Sequence, residues 1–389
     1  MRVEAKHEQS LDVNPVDRGQ AMRKSALFEP IRIRNLELAN RIVIAPMCQY
    51  SAQEGCMNDW HLIHLGQLAV SGAALLIIEA TAVVADGRIT HADVGPYDDE
   101  TESAMGRVLE SIRHWSKMPV GIQLSHAGRK ASTEVPWKGG GPLSPADPLG
   151  WQTVGPSAIP FTPEYIRPQA LDRQGMHEIR HAFACAARRA DRLGLNLIQL
   201  HAAHGYLLHQ FLSPLSNQRT DEYSGSLENR MKFPLEVFET VRQAFPAEKP
   251  VSVRVSGTDW IPGAWDLDQT AIFARALERL GCDAIHVSSG GNGLQQKIPV
   301  GPSYQVPLAR AVKTAVEVPV VAVGLITGFE QAEGIIQTGD ADLIGLARTI
   351  LYDSRWPWHA AARFGAPVRV PSQYLRCQPE RFPNLLVGE

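Results

Sequence analysis

From about residue 41 to residue 347 the chain repeats one pattern: a short run dense in Val, Ile and Leu, then a longer segment whose apolar residues recur at helical spacing. Continuous apolar runs of this kind mark strands covered on both faces, as in a parallel sheet. They are expected at 41–47, 74–83, 120–125, 195–201, 251–256, 284–288, 319–324 and 342–347. Segments such as 171–193, 227–245, 267–280 and 329–337 carry the helical spacing, with Gly281 and Gly339 placed as C-terminal stops. Eight strands, each followed by a helical or connecting segment, predict an α/β fold of the (β/α)8, or TIM-barrel, type.

Several stretches break the rhythm. Residues 1–24 lack periodicity and read as a disordered extension, with Met22 as an alternative start, ahead of one catalytic domain over 25–389. Residues 27–38 predict a short hairpin about Arg34-Asn35 that covers the barrel floor. Residues 130–168, rich in Pro, Gly and Ser, follow the third strand and far exceed the ~2–6 residues of an ordinary βα loop. A lid or subdomain is expected there, and 366–389 form a C-terminal tail.

Composition narrows the function. A length of 389 residues with 44% hydrophobic content suits one large barrel domain. The net charge of −3 and the absence of a dense Lys/Arg run argue against nucleic acid. Cys48, Cys56, Cys185, Cys282 and Cys377 are scattered singly, which fits reduced thiols in the cytoplasm. The N-terminus has no secretory apolar core, and the longest apolar stretch, 73–85, is interrupted by Glu79 and Thr81. It falls short of the ~20 residues that a membrane helix needs.

Barrel active sites lie at the C-terminal ends of the strands, and those ends are polar here. The first runs Ala45-Pro46-Met47-Cys48-Gln49-Tyr50, the third carries Gln123 and Ser125-His126, and the fourth ends His201-Ala202-Ala203-His204-Gly205-Tyr206. Arg254 lies in the fifth strand and Arg348 follows the eighth. Two imidazole N–H groups at His201 and His204 could grip one oxygen as it gains charge, although core histidines or metal ligands would share the spacing. No carboxylate or Cys in the local motif completes a metal set. Tyr206, with a phenol pKa near ~10, could protonate a basic carbon or merely anchor its loop. Taken alone, Arg254 reads as half of an ion pair, Gln123 as unremarkable and Cys48 as a small buried hydrophobe. His61 and His64 tempt a metal reading but have no third ligand nearby, so structural hydrogen bonding is expected.

Four segments occur in order: Ala45-Pro46-Met47-Cys48, His201-x-x-His204-Gly205-Tyr206, Asn217-x-Arg219-Thr220-Asp221-x-Tyr223 and Ser226-x-Glu228-Asn229-Arg230. Together they resemble the Old Yellow Enzyme family, over about 25–376. Cys48, Tyr50 and Gln373-Tyr374-x-Arg376 make the chain most similar to the bacterial branch of thermophilic-like ene-reductases and xenobiotic reductases. The resemblance implies FMN, with NADPH or NADH as reductant, in a ping-pong reduction of the C=C bond of an α,β-unsaturated carbonyl or nitro compound; nitrate esters and other xenobiotics are further candidates. It implies that His201 and His204 hold the substrate oxygen, that Tyr206 donates the proton and that Cys48 tunes the flavin. Ala45, Pro46, Met47, Cys48 and Ala80 would line the ring, Gln123 and Arg254 its pyrimidine edge, and Gly324, Ala347 and Arg348 the phosphate. Tyr50 and Arg376 resemble substrate-pocket residues, the latter reaching a neighbouring subunit, which implies a homodimer or homotetramer.

The chain departs from the family at Ala347 and Ser224, where Gly is usual, and in its Cys377-Gln378-Pro379 ending. The rival readings are a metal-dependent barrel hydrolase, an iron–sulfur dienoyl-CoA or trimethylamine-type reductase, and a non-catalytic flavin- or phosphate-binding barrel. The second needs clustered cysteines and further domains, and this sequence has neither.

Overall fold

The computed structural model describes residues 24–389, and the extension expected over 1–24 lies, but for its last residue, outside them. Eight parallel strands close into a barrel: β1 (Ile42–Ile44), β2 (Leu75–Ala82), β3 (Val120–Ser125), β4 (Leu197–Ala202), β5 (Val251–Ser256), β6 (Ala284–Ser288), β7 (Val320–Ala322) and β8 (Leu343–Leu346). Every residue in them is buried, which is why they read as mostly apolar runs.

β1 stops short of the expected 41–47. Ala45 still donates its N–H to Leu346 at 2.9 Å, but Pro46 has none to give and the ladder ends.

Around the barrel run α1 (Asp59–Ala69), α2 (Asp99–Trp115), α3 (Arg173–Arg192), α4 (Leu227–Ala244), α5 (Leu267–Arg279), α6 (Val306–Lys313), α7 (Phe329–Gln337) and α8 (Trp356–Phe364). The first five open on Asn58, Asp98, Asp172, Ser226 and Asp266, each accepting a backbone N–H of the first turn. Short polar side chains at these loop ends fix where each helix starts, and so how far each loop reaches over the barrel mouth.

The hairpin forms as expected, Ile31–Ile33 against Leu36–Leu38, turning at Arg34 with φ +51. Its Ile33 and Leu38 pack with Val43, Leu75, Leu197 and Leu343 into a separate apolar cluster that closes the barrel floor. Arg34 ties the turn to Asp283 at 2.7 Å, just before β6.

The buried Glu333 of α7 accepts hydrogen bonds from Ser25 Oγ at 2.6 Å, Ala26 N at 2.8 Å and Leu27 N at 2.9 Å. Glu333→Ala leaves these donors without a partner, and about 3 kcal/mol of stability should be lost. Urea unfolding of the apoprotein checks this, with Glu333→Gln, which keeps one acceptor, expected between the two.

The 130–168 insertion is ordered by Ser132, Thr133 and a two-strand patch of Val154–Gly155 with Gln169–Ala170. The tail closes with a parallel pair, Val368–Val370 and Leu386–Gly388, around its own small apolar cluster.

Candidate active site

The strand ends converge as the sequence requires. Gln123 of β3 is buried and donates to Gln199 of β4 at 2.8 Å, and Gln199 in turn lies 3.3 Å from His286 of β6. That contact uses the Gln123 amide N–H and leaves its carbonyl for another partner. Arg254 of β5 stands in register with His201 on one side and His286 on the other. Among the described residues it makes no ion pair, and its buried Nε has no hydrogen-bond partner. Burial pulls the guanidinium down to about 10, still far above neutrality, so the cation persists.

Arg254 lines a cavity of about 120 Å³ with Ser288, Gly324, Ala347 and Arg348. Gly324 has φ +116, and a Cβ there would come within 2.6 Å of the Gln305 amide nitrogen, so only glycine fits. Ala347, by contrast, has φ −121, so its methyl meets no left-handed penalty. An unpartnered buried cation facing a cavity rimmed by loop backbone fits an anion, and the amide edge of Gln123 fits a ring with an N–H. The residues present therefore suit FMN.

His201 and His204 meet edge to face, with ring centroids 5.0 Å apart. The backbone N–H of Ala203 donates to His201 Nδ1 at 3.2 Å, which puts the His201 proton on Nε2. Nε2 lies 3.3 Å from His204 Nδ1, and His204 Nε2 lies 2.7 Å from Ser288 Oγ. The two imidazoles thus form a donor chain to each other instead of presenting both N–H groups side by side. Burial, and then the Arg254 charge, hold both well below the ordinary histidine range, so both are neutral. His204 takes φ +59, and its backbone N–H donates to Ser256 Oγ at 3.0 Å.

Tyr206 sets its ring edge-on to His201 at 4.8 Å. Burial raises its pKa well above the ordinary phenol value, with the Arg254 cation working against that shift. Lys130 closes the turn from the insertion, donating to His204 O and Gly291 O, each at 2.8 Å. Its ammonium lies 4.6 Å from the Phe161 ring centre and 5.1 Å from that of Tyr206.

Cys48 is buried enough that its thiol is pushed up, with Asp93 and Glu79 adding to the effect and the Tyr50 hydroxyl working against it. Tyr50 sits at φ +47 and meets Trp137 of the insertion edge-on at 6.2 Å. Ala80 pairs with Gln123 across β2 and β3.

Arg376 is not brought to these groups within the chain. It lies exposed on the turn Ser372–Cys377, with no ion-pair partner among the described residues. His61 caps α1, accepting the Asn58 N–H at 3.1 Å, and His64 is buried against Trp60. Among the described residues no group of three or more His, Cys, Asp or Glu could hold a metal ion.

Sequence reasoning missed Lys130, Ser288, Gln199 and Gln305. Lys130 alone carried a signal, as one of two adjacent basic residues directly after the third strand; the others look like ordinary strand and loop polar residues. The segment from Asn217 to Arg230 serves as lacing. Asn217 donates to Phe211 O and Tyr223 O, each at 2.7 Å, Arg219 donates to Pro156 O, and Arg230 donates to Gln269. Ser224, the second departure, accommodates without strain, its hydroxyl donating to Asn217 O at 3.1 Å.

A closed parallel barrel with a buried arginine, two neutral histidines and a tyrosine at its mouth is the frame of a flavin-dependent oxidoreductase. The chain belongs to the NADH:flavin oxidoreductase / NADH oxidase family, the Old Yellow Enzyme family, whose model matches residues 26–364. It is 43% identical over 337 residues to an NADH:flavin oxidoreductase of Gibberella zeae, covering 82% of this chain and 81% of that protein. It is 39% identical over 356 residues to an NADPH dehydrogenase of Geobacillus sp. (strain WCH70), covering 91% and 98%. Morphinone reductase superposes with a TM-score of 0.74 at 25% identity, covering 90% of this chain and 92% of the other. The protein is an NAD(P)H-dependent FMN oxidoreductase. No helix among the described residues is long and apolar enough to cross a membrane.

Proposed function

We propose that the chain reduces the C=C bond of electron-poor alkenes, enones and nitroalkenes foremost, with nitrate esters and other xenobiotics as further candidates. The observation that carries this reading is the neutral His201–His204 pair with Tyr206 at its edge, next to the unpartnered Arg254.

FMN, when bound, supplies the hydride that NADPH or NADH has delivered to it. The rest falls to the protein. Gln123 and Arg254 hold the pyrimidine edge, Gly324, Ala347 and Arg348 the phosphate, and Ala45, Pro46, Met47, Cys48 and Ala80 line the ring. His201 and His204 turn their Nε2–H groups from their present partners to the substrate oxygen and stabilise the charge that develops on it. Tyr206, kept protonated by burial, gives its proton to the α-carbon. Tyr50 and Trp137 border the substrate from the rim, and the 130–168 segment acts as a lid that excludes water. The exposed Arg376 would reach a neighbouring subunit's site in a homodimer or homotetramer. Five unpaired cysteines suit the cytoplasm.

A purified sample tests the reading: a visible flavin band, bleached by NADPH under anaerobic conditions and restored by an enone that loses its double bond. A preparation that stays colourless after excess FMN sinks it.

Two narrower results are expected. Arg254→Met removes one of the two arginines that line the cavity, the other being Arg348, so FMN affinity should fall roughly tenfold to a hundredfold, as read by flavin fluorescence on dilution. Because both histidines stay neutral, KM for a non-ionising enone should be flat between about pH 6 and 8; a rise toward acid pH would mean that one of them titrates there.

A further inference from the structure

Glu79 has no place in that scheme, yet it is a buried carboxylate beside it. It is the extra residue of a β-bulge on β2, since Ile78 pairs with Ile122 and Ala80 with Gln123, leaving Glu79 unmatched. A bulge re-aims a side chain, and this one turns toward the end of β1. The carboxylate accepts the Gln49 N–H at 2.7 Å, and the neighbouring Tyr50 N–H also favours its charged form. Tyr50 occupies a left-handed conformation that a bulky residue keeps only where its surroundings hold it. Behind the carboxylate stands His61 of α1. Since the Asn58 backbone N–H donates to Nδ1, the His61 proton sits on Nε2. That Nε2 is buried, has no hydrogen-bond partner among the described residues and faces Glu79 Oε1 across 3.8 Å.

We propose that Glu79 and His61 are a buried positioning dyad: they hold the Gln49-Tyr50 bend, and through it set the Cys48 thiol and Tyr50 hydroxyl at the flavin site. The proposal rests on the reading that the end of β1 lines that site. The side chains of His61 and Glu79 are only 1% and 4% exposed, so water cannot replace these contacts. The titratable groups facing Glu79 are His61 from α1, Asp93 from the segment after β2 and Cys48 from the end of β1. None of them is a cation at neutral pH, because burial pulls His61 down to about 4. N–H donors alone therefore anchor the carboxyl, and burial pushes it up to about 8. Its negative charge, when present, lies near Cys48 and raises the thiol's pKa further.

The test compares wild type with Glu79→Gln, which keeps the shape, loses the charge and opposes an amide N–H to the His61 N–H. Hydrogen exchange at Gln49 and Tyr50, followed by mass spectrometry, should speed up about tenfold, the equivalent of one lost hydrogen bond. In the holoenzyme at about pH 9, above the value of about 8 to which burial pushes the carboxyl, the flavin midpoint potential should rise, because a negative charge near the ring has gone. An exchange rate within about twofold of wild type, or an unchanged potential, overturns the proposal. Should Glu79→Gln not fold, wild type decides: Gln49 and Tyr50 amides exchanging at the rate of an unstructured peptide overturn it, and strand-like protection upholds it. Exchange in the apoprotein needs no flavin. A protein that never binds FMN would thus remove the reading beneath the proposal while leaving the exchange pattern intact.

Discussion

Tyr206→Phe is expected to leave flavin reduction by NADPH near the wild-type rate and to slow enone reduction by roughly 10²–10⁴-fold, the usual share of a positioned general acid. The ring of Phe keeps the edge-on packing against His201 and the contact with the Lys130 ammonium, so fold and cofactor binding should persist. Only the hydroxyl proton is lost. Burial holds that proton on oxygen throughout the neutral range, which makes Tyr206 a reservoir that pH does not empty. Anaerobic stopped-flow separates the halves, bleaching of the flavin band reporting the first and its return with enone the second. Equal slowing of both halves would move Tyr206 from proton donor to structural support.

Replacing His201 and His204 together by Ala should abolish the spectral shift caused by a phenol ligand and lower enone kcat/KM by roughly 10²–10³-fold, the size of a lost oxyanion donor. The expectation follows from the donor chain running from the Ala203 N–H through both imidazoles to Ser288, which puts the proton of each imidazole on Nε2 before substrate arrives. Single substitutions should cost less than half of the double effect in free energy, because the remaining imidazole can re-pair. Flavin content should stay near wild type, since Gln123, Arg254 and Gly324 are untouched. A double variant that still binds a phenol at wild-type affinity would place the oxygen site elsewhere.

Much of this was legible in the chain. Eight buried strands announced themselves because every position in them is covered, and the hairpin about Arg34-Asn35 was readable from its turn. Boundaries were less so: Pro46 ends β1 early, and a pattern of hydrophobicity does not register a missing N–H. The helices Leu207–Leu212 and Arg348–Tyr352 were unreadable for another reason. Helices of so few residues are not stable alone, so tertiary packing, not local spacing, makes them. The spacing of Met105, Val108, Leu109 and Ile112 behind Asp98 could have marked α2 as well.

The site divides along the same line. His201, His204, Tyr206, Gln123 and Arg254 could be picked out as polar groups at strand ends, and the ordered motifs named a family. Nothing local showed that Arg254 lacks a partner, that the two imidazoles bond to each other, or that Lys130 reaches across to the His204 carbonyl.

Sequence alone determined the strand count, the parallel class and the residue types at the barrel mouth, because covering a strand on both faces demands apolar side chains position by position. Tertiary structure alone decided the bulge at Glu79, the left-handed bends at Tyr50 and His204, and the cavity joining Arg254 to Gly324 and Ala347. Those depend on groups distant in the chain meeting within a few ångströms. Hydrogen bonding and charge act across space, and a residue's neighbours in sequence carry no record of them.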